Sequence, residues 1–237
     1  MKYRILLFDV DNTLLDFDAN EEESFRSLLE EMGETWTEEL YETYKELNAG
    51  LWRQIEKKEI TVKEGVNRRF ADLMARYGKT VDGRLWEAAY RRYLNQGIQE
   101  IPQVHQVLER LKERGYELYV ITNGVAETQE SRMRRSGLDQ YFKELFISER
   151  IGAGKPSREF FDYVKTHIPG FCEAEALVIG DSLSSDIKGG ADAGIDACWF
   201  TREKEEGLRE KQMEECRVRP DYVIGALTDL FDILGQA

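Results

Sequence analysis

The stretch Tyr3-Arg4-Ile5-Leu6-Leu7-Phe8-Asp9-Val10-Asp11-Asn12-Thr13 decides how the rest of the chain is read. From Ile5 to Phe8 it is continuously apolar, and then it gives way at once to acids. An apolar run this short predicts a strand buried on both faces, the kind found in parallel sheets. Asp9 and Asp11 follow at a spacing of two, so they share a face for as long as the backbone stays extended.

Beyond this strand the period changes. From about Asn20 to Tyr93 the pattern is helical: Leu40, Tyr44, Leu47, Leu51 and Ile55 recur at three- and four-residue steps. Thr61 and Glu64 form a capping box ahead of Val66, Phe70, Leu73 and Tyr77, and a further helix runs near Leu85, Ala89 and Leu94. After Pro102 helices and strands alternate. Helices are predicted around Val104–Leu111, Glu127–Arg135, Phe160–Val164 and from about Ser184, with one more closing the chain. Strands are predicted at Leu118–Ile121, Leu145–Ile147, Ala176–Ile179, Cys198–Phe200 and Tyr222–Ile224. Such alternation implies an α/β fold, a Rossmann-like parallel sheet with helices on both faces. The first strand belongs to that sheet, and the helical block interrupts it. The expected division is a core of residues 1–16 and 98–237 with an inserted helical domain of 17–97.

Composition narrows the function. Of 237 residues, 46 are acidic and 33 are Lys or Arg, a net charge of −13. That field repels nucleic acid and anionic membranes, so neither is expected as a partner. Ten acids against two bases between Glu21 and Glu46 suggest solvated helix faces. The three cysteines (Cys172, Cys198, Cys216) are far apart, which argues against a disulfide framework or a structural zinc site. With only two histidines, His105 and His167, histidine-based catalysis has little support. The N-terminal apolar run is too short for a secretion signal and no run could span a bilayer, so a cytoplasmic location is expected.

Ligands of open parallel sheets bind beyond the carboxyl ends of the strands, so the residues following each strand carry the chemistry. These are Asp9-Val10-Asp11-Asn12-Thr13, then Thr122-Asn123-Gly124, then Gly154-Lys155-Pro156, then Gly180-Asp181-Ser182 with Asp186 five residues past Asp181. Four carboxylates, one ammonium and one hydroxyl thus converge on one edge. Carboxylates so crowded require a cation, and hard oxygen donors favour Mg²⁺. Mg²⁺ with a lysine and a hydroxyl suits a phosphoryl group. Asp9 could attack phosphorus while Asp11, brought round by a turn, protonates the leaving oxygen.

In this order the motifs Asp9-x-Asp11-x-Thr13, Thr122, Lys155-Pro156 and Gly180-Asp181-x-x-x-x-Asp186 resemble the haloacid dehalogenase-like phosphohydrolase superfamily. The resemblance implies that Asp9 is the nucleophile and Asp11 the acid/base, and that Thr122, Asn123 and Lys155 bind phosphate. It further implies that Asp9, the Asp11 carbonyl and Asp181 hold Mg²⁺, with Asp186 supporting the metal. The helical block looks like that family's small C1-type cap. Phe8-Asp9-x-Asp11-x-Thr13-Leu14, Asn48-x-x-Leu51-Trp52, Ile121-Thr122-Asn123-Gly124 and Ala197-Cys198-Trp199 are similar to the bacterial pyrimidine 5′-nucleotidases. This closer likeness implies a nucleoside monophosphate as substrate, a small phosphorylated metabolite. Trp52 is a candidate to stack on a base, with packing in the helical block as its other reading, and Asn48, one helical turn earlier on the same face, is a candidate to hydrogen-bond a base edge.

Competing readings exist for each feature. A receiver-type signalling domain also follows its strands with acids, Ser or Thr, and lysine, but it has no use for the helical insertion or the Asp181–Asp186 cluster. A dehalogenase needs no acid at position 11. A phosphatase or mutase acting on a sugar phosphate uses the same four motifs and is the main alternative. Gly189-Gly190-Ala191 reads as close helix–sheet packing, and Trp36 and Trp86 as packing residues of the helical block.

Overall fold

The structure, a computed structural model, describes residues 2–57 and 59–235. The elements in chain order are β1 (Ile5–Phe8), α1 (Phe17–Met32), α2 (Glu38–Glu56), α3 (Val62–Ala75), α4 (Gly83–Leu94), α5 (Val104–Glu113), β2 (Glu117–Thr122), α6 (Ala126–Arg135) and β3 (Glu144–Ile147). They continue with α7 (Ser148–Ile151), α8 (Arg158–His167), β4 (Ala176–Gly180), a π-turn (Leu183–Ile187) running into α9 (Lys188–Asp192), β5 (Asp196–Phe200), α10 (Glu206–Cys216), β6 (Tyr222–Ile224) and α11 (Leu230–Ile233).

The six strands form one sheet in the order β3-β2-β1-β4-β5-β6, with every neighbouring pair parallel. All residues of β1 and β4 are buried, the physical reason for their unbroken apolar runs. Successive side chains still alternate between faces. Leu6, Phe8, Val120, Ile179 and Phe200 enter one apolar layer, and Ile5, Leu7, Ile121, Val178 and Trp199 the other. A Cβ on Gly190 would lie 3.2 Å from Val178 and 3.4 Å from Ala197, and one on Gly189 only 2.4 Å from Phe161. Gly190 therefore lets α9 approach the sheet, and Gly189 lets it approach Phe161 of α8.

The chain separates into two compact units. The sheet unit comprises residues 1–16, 100–126 and 133–237; the helical unit comprises Phe17–Gln99 and Glu127–Arg132. The helical unit has its own core. Phe25, Tyr44 and Phe70 stack with centroids 4.6 Å and 5.7 Å apart, and Trp86 and Tyr90 pack on Phe70. Thr37, the Thr61–Glu64 box and Asp82 cap α2, α3 and α4. Trp36 lies under the Arg26 guanidinium at 3.5 Å.

Through this core runs a buried polar network that the helical periodicity does not reveal. Arg69 donates to Glu87 (2.8 Å) and to Asn48 Oδ1 (3.2 Å), while Glu21 accepts from Tyr44 (3.0 Å) and Asn48 Nδ2 (3.1 Å). Arg91 donates to Glu87 and to Thr128 (2.9 Å), and Thr128 donates to Asn95 (2.7 Å). Buried charges are tolerated only when paired and hydrogen-bonded in this way.

Two helices, α7 and α10, have no counterpart in the sequence reading. The first is a single turn. The second buries only Met213 and so carries no apolar stripe. Among the described residues no helix is long and apolar enough to cross a membrane. Among the described residues Cys172, Cys198 and Cys216 are not joined in a disulfide to one another. His105 faces Tyr141 and Glu100, and His167 stacks on Tyr163 at 3.7 Å.

Candidate active site

The winding of the sheet reverses at β1, between β2 and β4, and it is at the carboxyl ends of the strands beside such a reversal that open parallel sheets bind ligands. Asp9 is the first residue past β1. Its N–H donates to Ile179 O on β4 at 2.9 Å, which fixes it on the seam. The chain then turns tightly. The N–H groups of Leu14 and Leu15 both donate to Val10 O (2.9 Å and 3.0 Å), and Asn12 takes φ 59°. Asparagine is one of the few residues besides glycine that visit that left-handed conformation, and here its Oδ1 accepts from Arg202 at 3.3 Å. The turn carries Asp11 off the strand, leaving Asp9 buried and Asp11 partly accessible.

Lys155 is placed by a clamp. Its N–H donates to Asn123 Oδ1 and its carbonyl accepts from Asn123 Nδ2, both at 2.8 Å. A Cβ on Gly154 would stand 2.8 Å from Asn123 Oδ1, and Gly152 closes α7 at φ 81°, so the glycines before Lys155 have separate physical reasons. The buried ammonium donates to Asp9 Oδ1 (2.6 Å), Asp186 Oδ1 (2.6 Å) and Ile121 O (2.8 Å). These three acceptors match its three protons.

Asp186 Oδ2 accepts from the Ser182 N–H at 3.1 Å. A Cβ at Gly180 would fall 2.3 Å from the Asp186 carboxyl, so glycine is required where β4 ends. Asp181 is held through its carbonyl, which accepts from Trp199 Nε1 at 2.8 Å. Thr122 is buried and accepts from the Gly124 N–H at 3.1 Å.

The carboxylates of Asp9, Asp181 and Asp186 each offer an oxygen within 4.8 Å of the others. Burial pushes Asp9 up to about 7; Lys155 opposes the shift, while Asp186 and Asp11 add to it. Burial and the neighbouring Asp9 and Asp186 likewise hold Asp181 well above the usual carboxylate range. Burial disfavours the charge on Lys155, but Asp186 and Asp9 outweigh it and keep the ammonium protonated. One ammonium among three crowded carboxylates leaves excess negative charge at a hard-oxygen site. The donor set fits Mg²⁺.

Asp9, Lys155, Asp181 and Asp186 thus come together, with Thr122 the last residue of β2 and Asn123 the residue after it. Asp11 is not among the three clustered carboxylates. Asn48 and Trp52 belong to the helical unit. The Asn48 amide is engaged by Glu21 and Arg69, and Trp52 is half-buried. Sequence reasoning did not find the Asn123 clamp or the Ile121 and Ser182 backbone contacts. Gly154 and Gly180, flanking the motif residues, were the available signals.

The haloacid dehalogenase-like hydrolase pattern matches residues 6–200, and the chain belongs to that family. It is 42% identical to the Bacillus subtilis protein YfnB, described as a HAD-hydrolase, over 98% of this chain and 96% of that one. The crystal structure of YfnB bound to magnesium matches with a TM-score of 0.91, covering 99% of both chains. The pyrimidine 5′-nucleotidase PynA of Streptococcus pneumoniae is 39% identical over 100% of this chain and 97% of its own. The pyrimidine 5′-nucleotidase YjjG of Escherichia coli is 29% identical over 99% of each.

Proposed function

We propose that the protein is a Mg²⁺-dependent phosphomonoesterase that hydrolyses nucleoside 5′-monophosphates, pyrimidine nucleotides preferentially, in the cytoplasm. One observation carries the chemistry: the Lys155 ammonium lies 2.6 Å from both Asp9 and Asp186, with Asp181 in the same carboxylate group. Likeness to PynA and YjjG along the whole chain supports the nucleotide as substrate.

Asp9 and Asp181, with the Asp11 carbonyl and support from Asp186, would hold the metal. Bound there, Mg²⁺ neutralises the carboxylates and withdraws charge from phosphoryl oxygens. Lys155 and Thr122 bind the phosphoryl oxygens, and Asn123 positions Lys155. An Asp9 oxygen attacks phosphorus, the ester P–O bond breaks, and Asp11 gives its proton to the departing nucleoside oxygen. A water then attacks the aspartyl-phosphate, Asp11 takes its proton, and inorganic phosphate leaves with Asp9 restored. We assign the helical unit the role of cap, with Trp52 as the side chain best suited to stack on a base.

The test is phosphate release with Mg²⁺ from a panel of nucleoside monophosphates and sugar phosphates. UMP, dUMP and dTMP should be turned over best. A sugar phosphate hydrolysed far faster would replace the nucleotide as substrate, and activity that survives EDTA would remove the metal.

A further inference from the structure

The helical unit contains a cavity of about 330 Å³ lined by Asn67 of α3, by Arg84, Arg91, Arg92 and Asn95 along α4 and its C-terminal cap, and by Glu127 of α6. That volume is at the small end of ligand sites. Positions 84, 88, 91, 92 and 95 lie at helical spacing, so α4 turns three guanidiniums to one face. They do so on a chain whose net charge is −13.

Local charge pairing sharpens the point. Glu87, also in the lining, is buried between Arg69 and Arg91 and already bonded to both. Arg92 pairs with Glu31 at 2.7 Å. The exposed Arg84 guanidinium has no ion pair, and the Asn67 amide no hydrogen bond, among the described residues. Asn95 accepts from Thr128 through Oδ1, which leaves its amide N–H groups as donors. Glu127 is then the one lining acid not paired to an arginine, set against several uncommitted donors from two helices.

We propose that this cavity is a second anion site, distinct from the Asp9 centre, taking a small multiply charged phosphate. Guanidinium forks match phosphate oxygens, and neutral amide donors complete a tetrahedral oxyanion better than a planar carboxylate. The site does not depend on the phosphomonoesterase reading: it stands or falls on binding alone.

The experiment is calorimetric titration of inorganic pyrophosphate into the full-length protein in EDTA, where no metal-dependent turnover competes. Saturable binding is expected. Arg84→Glu should weaken it at least ten-fold, and Glu127→Gln should tighten it several-fold. Arg76→Glu, a charge reversal at an exposed position elsewhere on α3's C-terminal cap, should leave it unchanged. Circular dichroism melts confirm that each variant is folded. No saturable binding at millimolar pyrophosphate overturns the proposal. So does equal weakening by Arg84→Glu and Arg76→Glu, or binding lost in Lys155→Met and untouched in Arg84→Glu, which places the anion at the sheet edge. A failed hydrolysis panel alongside a successful titration would discard the enzyme reading and keep this one.

Discussion

Lys155 and Asp9 touch, yet replacing one or the other should move stability differently. Lys155→Met leaves Asp9 and Asp186 buried without their shared countercharge, a loss of about 3–5 kcal/mol for a broken buried pair. Asp9→Asn removes one of the crowded carboxylates, so in metal-free buffer it should melt no lower than wild type while abolishing turnover. Urea unfolding of both variants in EDTA checks the contrast. Asp11→Asn should lower kcat by about 10²–10⁴-fold for a nucleotide, whose leaving oxygen needs a proton. With p-nitrophenyl phosphate, whose leaving group needs none, the loss should shrink sharply; equal losses on both substrates would take the acid role away from Asp11. Much of this site is legible in the sequence, because Asp9, Thr122 and Asp181 stand at the ends of apolar runs, Lys155 comes a short loop beyond another, and parallel sheets gather such residues. The Asn123 clamp and the requirement for Gly180 are not legible, since each depends on an atom more than five residues away in sequence that only folding brings near.

At the scale of elements, the helical unit places ionisable groups where its amphipathic patterns suggest only apolar packing. Burial pushes Glu21 up to about 7, with Arg69 and the Tyr44 hydroxyl opposing and Asp18 adding to the shift. A carboxyl raised in the folded state binds a proton that the unfolded chain has already released. Its stabilising contribution is therefore full below the ordinary glutamate range near 4.5 and is lost as pH rises through 7. The wild type should lose up to about 3 kcal/mol more than Glu21→Gln between pH 4.5 and 8, read by urea titration of both proteins. Parallel slopes would show that folding does not raise the Glu21 carboxyl. The helices themselves are readable from apolar spacing and caps, as Thr61 with Glu64 illustrates. The Arg69–Glu87–Glu21 network is not, because a charged residue on a helix looks solvated until the facing helix is known. α10 escapes for the opposite reason, having almost no buried face.

For the whole molecule, the sheet unit gathers carboxylates at one edge on a chain of net charge −13, so a divalent cation should stabilise the fold as well as serve the chemistry. Mg²⁺ at 5 mM should raise the melting temperature, EDTA should reverse it, and Asp181→Asn should abolish most of the gain. An identical rise in Asp181→Asn would place the ion elsewhere. Helix α6 bears on how this protein can be dissected. It opens directly after Thr122-Asn123-Gly124, yet Glu127–Arg132 group with the helical unit, where Thr128 and Ser131 bond to Asn95. Splicing out residues 17–99 would strip those partners from α6 and bare its flank to water. Such a shortened chain should be recovered mainly in the insoluble fraction, so a stand-alone sheet domain would first need the outward positions of α6 redesigned as a solvent-facing surface.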